Sequence, residues 1–172
     1  MWPRSVYISP HPPKAVISST MCRCKITSVH IDRKYTQLTV GTNLTDLTLK
    51  KKRKVTVREL GGCMGPIWPS YFNDCSSVIF MVDSANIAQV SCSCIQLLSV
   101  LSAEPLHGAR VLILFNKIDM PCTMSLIEIK SLFRMDDIIA SASQPITILE
   151  ISARSGQGLQ EVLNWLESIP VK

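Results

Sequence analysis

Three short, strongly apolar segments separated by helix-like stretches constrain the fold of this 172-residue chain most strongly. They are SVIFMVD, VLILFN and TILEIS, at residues 77–83, 111–116 and 147–152. Runs of this kind are typical of strands that are covered on both faces, as in parallel sheets. Apolar residues at spacings of three and four predict helices over residues 87–103, 125–139 and 159–169. The sequence therefore predicts an α/β fold with a mostly parallel sheet and helices on both faces.

A hairpin is predicted before the first of these segments. Residues 43–50 and 55–60 alternate apolar with polar side chains, which is typical of exposed paired strands. The basic run KKKRK at residues 50–54 falls between them and would form the turn, where charge prevents the edge from pairing with other chains. The alternative is that these basic residues form a nuclear import signal.

The positive charge is unevenly distributed. The formal net charge is +5, yet residues 1–38 contain six Lys or Arg and Asp32 as the one acid, so this segment carries the whole excess. We expect no nucleic-acid partner, because the rest of the chain is electrically balanced. An apolar content of 47% is enough for one compact domain. We predict a domain over residues 39–172, preceded by an atypical, basic and poorly ordered segment over residues 1–38.

The N-terminal segment and the cysteines argue against export. No apolar run approaches the length of a membrane helix, and four prolines interrupt the first twenty residues. Trp2 occupies the position where N-myristoylation requires glycine. The seven cysteines include no C-x-x-C pair, which disfavours a zinc site or a disulfide framework. We expect a cytoplasmic monomer with reduced thiols, or a nuclear protein if residues 50–54 direct import.

Polar side chains follow two of the predicted buried strands. Asn116, Lys117 and Asp119 form the pattern N-K-x-D after one strand, and Ser152 and Ala153 follow the next. At the carboxyl edge of a parallel sheet, the Asp119 carboxylate can accept two hydrogen bonds from guanine while the stem of Lys117 covers the base. The Ala153 backbone N–H can donate to the guanine O6. The alternative for each motif is an ordinary polar turn or helix cap.

At this point the sequence resembles the ADP-ribosylation-factor-like (Arf-like) branch of the small GTPases. The segments that carry the resemblance are TVGTN, RELGGC, IWPSYF, SVIFMVDS and LFNKID, and the likeness covers about residues 39–169. It implies a P-loop NTPase type of fold and a regulatory switch protein that binds GTP or GDP with magnesium. It also implies effector proteins that bind through switch regions near residues 39–49 and 59–74.

The resemblance also assigns roles in the switch regions. Thr39 would offer its hydroxyl to magnesium, and the Gly62 backbone N–H would contact the γ-phosphate. Glu59 stands where the family has an aspartate that holds the magnesium shell, and Cys63 stands where it has the glutamine that orients the attacking water. Loss of a positioning group typically costs about two to three decades in rate, so we expect little or no GTP hydrolysis. No catalytic residue is assigned.

The phosphate-binding loop of the family is missing from the sequence. No G-x-x-x-x-G-K-[ST] occurs, and the first glycine is Gly41. Residues 25–31 (KITSVHI) can form a strand, but seven residues separate them from Thr39, too few for a loop and a helix. We therefore predict that the first strand, the P-loop and the first helix are absent or degenerate, because residues 1 to about 38, from a variant transcript or a mistaken gene model, replace the usual start.

Three functions are open at this stage. The first is a small GTPase-like regulatory protein with a degraded phosphate site. The second is a nucleotide-free pseudo-GTPase that acts as a protein-interaction module in a variant or truncated form. The third is a basic nuclear or nucleic-acid-binding factor, which rests only on residues 50–54 and the N-terminal charge and lacks aromatic platforms for bases.

Overall fold

A computed structural model describes residues 14–19, 42–73, 75–121 and 124–170 of the chain. Its six strands are β1 Lys14–Ser19, β2 Thr42–Thr48, β3 Lys54–Leu60, β4 Ser77–Asp83, β5 Arg110–Asn116 and β6 Ile146–Ile151. Its α-helices are α1 Ile87–Leu101, α2 Leu126–Phe133, α3 Met135–Ser141 and α4 Leu159–Glu167. Three 3-10 helices among the described residues span Lys50–Lys52, Gly62–Tyr71 and Glu104–Leu106.

The six strands form one sheet in the order β2-β3-β1-β4-β5-β6. The pairings of β1 with β3 and β4, of β4 with β5 and of β5 with β6 are parallel, and only β2 and β3 are antiparallel. All seven residues of β4 are buried. The predicted α/β architecture with a mostly parallel sheet is therefore confirmed.

Helices cover both faces of the sheet because the side chains of a strand alternate between its two faces. On one face, Val78, Phe80 and Val82 of β4 pack in a cluster that includes residues from α1, α2 and α3. On the other face, Ile79 and Met81 pack in a cluster that includes residues from α4. The sheet is thus enclosed, and its strand ends become the places where a site can form.

The central strand β1 is the element that the sequence analysis did not locate. It lies between β3 and β4, with Ile17 paired in register with Glu59 and with Ile79. The strand predicted at residues 25–31 lies outside the described residues. Since β1 ends at Ser19, 22 residues separate it from Thr42, and the shortage of chain that we inferred for a loop and a helix does not apply. The boundary at residue 38 stays a prediction, although the sheet includes a strand from before it.

The predicted hairpin is confirmed, and its basic turn is attached to a helix end. The pairing of β2 with β3 runs from Thr42 opposite Leu60 to Thr48 opposite Lys54. In the turn, the Arg53 guanidinium donates a hydrogen bond of 2.6 Å to the backbone carbonyl of Glu167, the last residue of α4. This contact satisfies one of the carbonyls that a helix leaves without a partner at its end.

The single helix predicted over residues 125–139 is two helices. Arg134 lies between α2 and α3 with φ of 52°, in the left-handed region. The start of α2 is fixed by Ser125 and Glu128, which form a reciprocal capping box. The apolar spacing continued across the break, because both helices bury their apolar sides in the same cluster, so the pattern did not reveal it.

Candidate nucleotide-binding site

The N-K-x-D motif begins at the buried end of β5. Asn116 is the last residue of β5 and is fully buried. Its Oδ1 accepts a hydrogen bond of 3.0 Å from the Ala153 backbone N–H, and its Nδ2 donates to Met81 Sδ at 3.7 Å. Asn116 therefore joins the end of β5 to the loop that follows β6.

Asp119 and Ser152 form a second link between the same two strand ends. The Ser152 hydroxyl donates to Asp119 Oδ1 at 2.6 Å and accepts from the Ser155 backbone N–H at 3.1 Å. Ser152 is fully buried whereas Asp119 is exposed. An ionised carboxylate has about four acceptor positions, so this contact leaves most of the Asp119 carboxylate available to a ligand.

Lys117 adopts an unusual backbone conformation in the same turn. Its φ is 70°, a left-handed value that only a few per cent of residues other than glycine adopt. Its ammonium forms an ion pair with Asp83, the last residue of β4, which also accepts from the Ala85 backbone N–H at 3.1 Å. Asp83 lies in the family-like segment SVIFMVDS and was assigned no role from the sequence. Its position at the carboxyl end of a buried strand is the signal that could have identified it.

Two glycines shape the loop after β6. Gly156 and Gly158 have φ of 86° and 75°. The Ser152 backbone N–H donates to Gln157 O at 3.0 Å, and the Gly156 N–H donates to Ser152 O at 2.9 Å. A Cβ on Gly158 would come within 2.5 Å of the carbonyl oxygen of Glu150. Only glycine fits this approach, and it places Ser152 and Ala153 beside β5.

The structure brings together five of the predicted site residues. We call Asn116, Lys117, Asp119, Ser152 and Ala153 the base corner. The Ala153 N–H that we predicted for the guanine O6 donates to Asn116 Oδ1, so it would have to be shared between the two acceptors. Shared N–H donors of this kind are common in proteins. The base corner therefore contains an acceptor at Asp119 and a donor at Ala153.

Of the predicted switch residues, Glu59, Gly62 and Cys63 lie at the same edge of the sheet. Glu59 is in β3, paired with Asn43, and Gly62 begins the 3-10 helix in which Cys63 is the second residue. The Trp68 ring N–H donates to Gly61 O at 3.1 Å and fixes the entry to this helix. The ends of β3 and β5 are three strand positions apart, or about 14 Å at the usual strand spacing. Thr39 lies outside the described residues.

The end of β1 lies between the switch residues and the base corner. In open α/β sheets, ligands bind beyond the carboxyl ends of the strands.

Within the described part of the chain, no group of three or more His, Cys, Asp or Glu side chains is arranged to hold a metal ion. None of the described helices is long and apolar enough to cross a bilayer.

A comparison with a protein-family model identifies the family to which this chain belongs. The model of the ADP-ribosylation factor (Arf) family matches residues 25–169. The chain belongs to the Arf family. It is 60% identical over 133 residues to ADP-ribosylation factor-like protein 16 of Homo sapiens, a match that covers 77% of this chain and 66% of that protein. It is 31% identical over 132 residues to ADP-ribosylation factor-like protein 1 of Drosophila melanogaster, covering 76% and 71%.

The fold of the Arf-family chain has solved counterparts. The structure of the Arl6 BBS3 small GTPase from Trypanosoma brucei, with the bound nucleotide analogue GppNp, superposes with a TM-score of 0.75 at 21% identity. The match covers 91% of this chain and 96% of that one. This likeness confirms the predicted small-GTPase fold. The chain spans about two thirds of the length of the sequence relatives named above.

Proposed function

We propose that this Arf-family chain is a regulatory switch protein that recognises guanine nucleotides through the base corner and holds their phosphates weakly. The observation that carries the proposal is the pair of links from β5 to β6, Asn116 to Ala153 and Ser152 to Asp119. These links hold the recognition groups in place before a ligand binds. Pre-organisation of this kind lowers the cost of binding.

The base corner fits guanine better than adenine. Asp119 is an acceptor, and guanine presents two donors, N1–H and the exocyclic amine, on one edge. Adenine lacks that pair, and its exocyclic amine would face the Ala153 N–H, so two donors would meet. The apolar stem of Lys117 would cover the base plane. The chemistry of this donor and acceptor set therefore supports a guanine base as ligand.

The weak hold on phosphate follows from the residues after β1. In the chain order of the family a phosphate-binding loop would follow β1, yet the sequence of residues 20–40 contains no glycine. Charge-assisted hydrogen bonds to phosphate contribute about 1.5–3 kcal/mol each, so losing four removes on the order of 6–12 kcal/mol. That corresponds to about four to nine decades of affinity. In this proposal GTP or GDP binds weakly, with magnesium held through Thr39 and Glu59 and the γ-phosphate contacted by Gly62.

Hydrolysis of GTP is expected to be slow or absent. Cys63 stands at the position of the family's glutamine, and a thiol is a weaker hydrogen-bonding group than an amide. The Glu59 side chain is one methylene longer than the aspartate found in the family. Effector proteins would then bind the switch surface of a monomer in the cytoplasm, with no turnover required.

The second candidate is a nucleotide-free pseudo-GTPase that serves as an interaction module. The glycine-free stretch after β1 favours it specifically, because it removes phosphate contacts and leaves the protein-binding surface of the hairpin and switch segments in place. In that case the base corner is a structural link between β5 and β6.

Direct analysis of the purified chain separates the two candidates. The chain is denatured, and the supernatant is chromatographed for released GDP or GTP. Isothermal titration with guanosine, GDP and ADP then measures binding to the nucleotide-free chain. Saturable binding of guanosine and GDP with no response to ADP supports the first candidate. An empty preparation without heat of binding for any ligand supports the second and overturns the first.

A substitution at Asp119 tests the base corner itself. Asp119→Asn replaces one acceptor by a donor, which matches the 2-oxo group of xanthine and opposes the amine of guanine. We expect GDP binding to fall at least about tenfold and xanthosine diphosphate to bind more tightly than GDP. Asp136→Asn, on the exposed surface of α3, makes the same change in charge and serves as the control. Equal losses for both bases in Asp119→Asn would contradict recognition by this carboxylate.

A further inference from the structure

The ion pair between Lys117 and Asp83 is not explained by base recognition alone. The Asp83 side chain is 8% exposed and that of Lys117 is 30% exposed. Asp83 Oδ1 accepts the Ala85 N–H while Oδ2 accepts the Lys117 ammonium, so both of its oxygens are used. A carboxylate buried to this degree stays charged only if it is paired and hydrogen-bonded.

The ion pair with Asp83 determines where the Lys117 side chain lies relative to a bound base. Asp83 and Asn116 are register partners at the ends of β4 and β5, so Lys117 extends from β5 toward β4. Asp119 extends the other way, to Ser152 at the end of β6. A base bound by Asp119 therefore lies beside a lysine stem whose far end is fixed. The stem crosses the side of the corner that faces the end of β1.

The ion pair also sets the charge that a ligand meets. The ammonium of Lys117 is already compensated by Asp83, and the carboxylate of Asp119 adds a negative charge nearby. Sugar and phosphate groups bound beyond the base would point toward β4 and β1, because the base is held from the β6 side. Among the described residues, the part of the corner nearest to them thus offers little net positive charge.

We propose that Asp83 is a positioning residue that sets the ligand class of the base corner. It holds the Lys117 stem across the base and withholds the lysine charge from phosphate groups, so that the corner selects the guanine base with little preference for phosphorylation. The proposal rests on the proposed function, since it assumes that guanine binds. It adds that guanosine itself is a ligand, and that the affinity ratio of GDP to guanosine is controlled at Asp83.

Calorimetric titration of the full chain with guanosine and with GDP tests this assignment. We compare the wild type with Asp83→Asn, Asp83→Glu and the charge-matched control Asp136→Asn. In Asp83→Asn we expect guanosine to bind about tenfold more weakly, because the stem is released. We expect the affinity ratio of GDP to guanosine to rise about tenfold, because the ammonium is now available to phosphate. A merely structural role would weaken both ligands equally and leave the ratio unchanged.

The other two variants serve as controls. Asp83→Glu keeps the negative charge and should retain the wild-type ratio of GDP affinity to guanosine affinity. Asp136→Asn should change neither affinity by more than about twofold. Thermal unfolding of each variant without ligand shows whether it is folded. If Asp83→Asn does not fold, Asp83→Glu and the wild type still test the proposal, since a wild-type ratio far above ten contradicts it.

A ligand-free measurement tests the ion pair separately. Reductive methylation followed by mass spectrometry gives the reaction rate of each lysine. Lys117 should react more slowly than exposed Lys54 in the wild type, and its rate should rise severalfold in Asp83→Asn while that of Lys54 stays the same. An unchanged Lys117 rate would overturn the proposal even if guanosine binds.

The outcomes distinguish the two proposals. If the wild type binds neither guanosine nor GDP, both the proposed function and this inference fail. If it binds both and Asp83→Asn behaves like Asp136→Asn, the inference alone fails and the base corner stands.

Discussion

Replacing Gly158 by alanine tests how the loop after β6 is built. Gly158 precedes α4 with φ of 75°, and an added Cβ would lie 2.5 Å from Glu150 O and 2.8 Å from Ile151 Cγ2. The first contact is with backbone, so no rotation of a side chain relieves it. Ile151 is also the last residue of β6, so any shift moves the strand end next to Ser152.

Alanine substitutions at two other glycines separate the two causes of the stability loss expected in Gly158→Ala, which are the left-handed backbone and the steric overlap of the added Cβ. Gly156 also has positive φ, 86°, but a Cβ there would meet nothing within 4 Å. Gly108 likewise has open space, and its φ lies outside the positive range. Alanine at Gly108 should stabilise the chain by about 0.4–1 kcal/mol, since it reduces the freedom of the unfolded state. Alanine at Gly156 should cost about 1–2 kcal/mol from its left-handed backbone.

Gly158→Ala should lose stability both from the left-handed backbone and from the steric overlap of the added Cβ. Overpacking typically adds about 1–3 kcal/mol, so the total should be about 2–5 kcal/mol. Domains are stable by only about 5–15 kcal/mol, so the loss is easily measured. Urea unfolding followed by tryptophan fluorescence gives the free energy of unfolding for the wild type and the three variants. If Gly158→Ala and Gly156→Ala agree within about 0.5 kcal/mol, the overlap is absent and the reasoning is wrong.

Three further predictions concern separate parts of the chain. Arg134→Gly should stabilise by up to about 1 kcal/mol in urea unfolding, because it relieves the left-handed residue between α2 and α3; a clear loss of stability would contradict this. Hydrogen bonds from the Ser125 backbone N–H and hydroxyl lower the pKa of Glu128. The cap therefore stabilises α2 above the unfolded-state pKa of Glu128, and this stabilisation is lost as pH falls through the lower folded pKa. The Ser125 amide resonance should titrate below pH 4.5, and a midpoint above pH 4.5 would contradict this. Burial raises the pKa of the Cys94 thiol, whereas Cys92 is exposed. Iodoacetamide should therefore modify Cys92 faster than Cys94 in peptide mapping, and equal rates for the two would argue against the burial of Cys94.

The sequence predicted the elements with a strong periodic signal. The runs at β4 and β5 are apolar between their first and last residues, and the predicted strands end at Asp83 and Asn116, where β4 and β5 end. The hairpin alternation also predicted β2 and β3 correctly. In each case burial on a sheet requires the same pattern that the sequence displays.

The elements that were missed have no such signal. The β1 segment KAVISS is short, has only three apolar residues and follows prolines, so its place in the sheet depends on the neighbours β3 and β4. The break at Arg134 carries no glycine or proline. Helix propensity and apolar spacing both favour continuity there, and the left-handed residue is imposed by packing.

The base corner was predicted in its residues but not in its internal bonds. N-K-x-D and the Ser-Ala pair after β6 placed five residues at one edge, and the structure brings them together. The link from Asn116 to Ala153 and the pairing of Lys117 with Asp83 depend on the turn geometry after each strand. A one-dimensional pattern does not specify side-chain directions in such turns.

The position of β1 has a consequence for any shortened form of the chain. Six residues between Lys14 and Ser19 join β3 to β4, and these two strands make no pairing of their own in the sheet order. A form that begins after Ser19 would divide the sheet into a two-stranded ribbon and a three-stranded remnant, each with an unpaired inner edge. Such edges associate with other chains, so we expect a truncated form to precipitate or to need a partner strand. Residues 14–19 precede the segment that the Arf family model matches, residues 25–169, yet they join the two parts of the sheet.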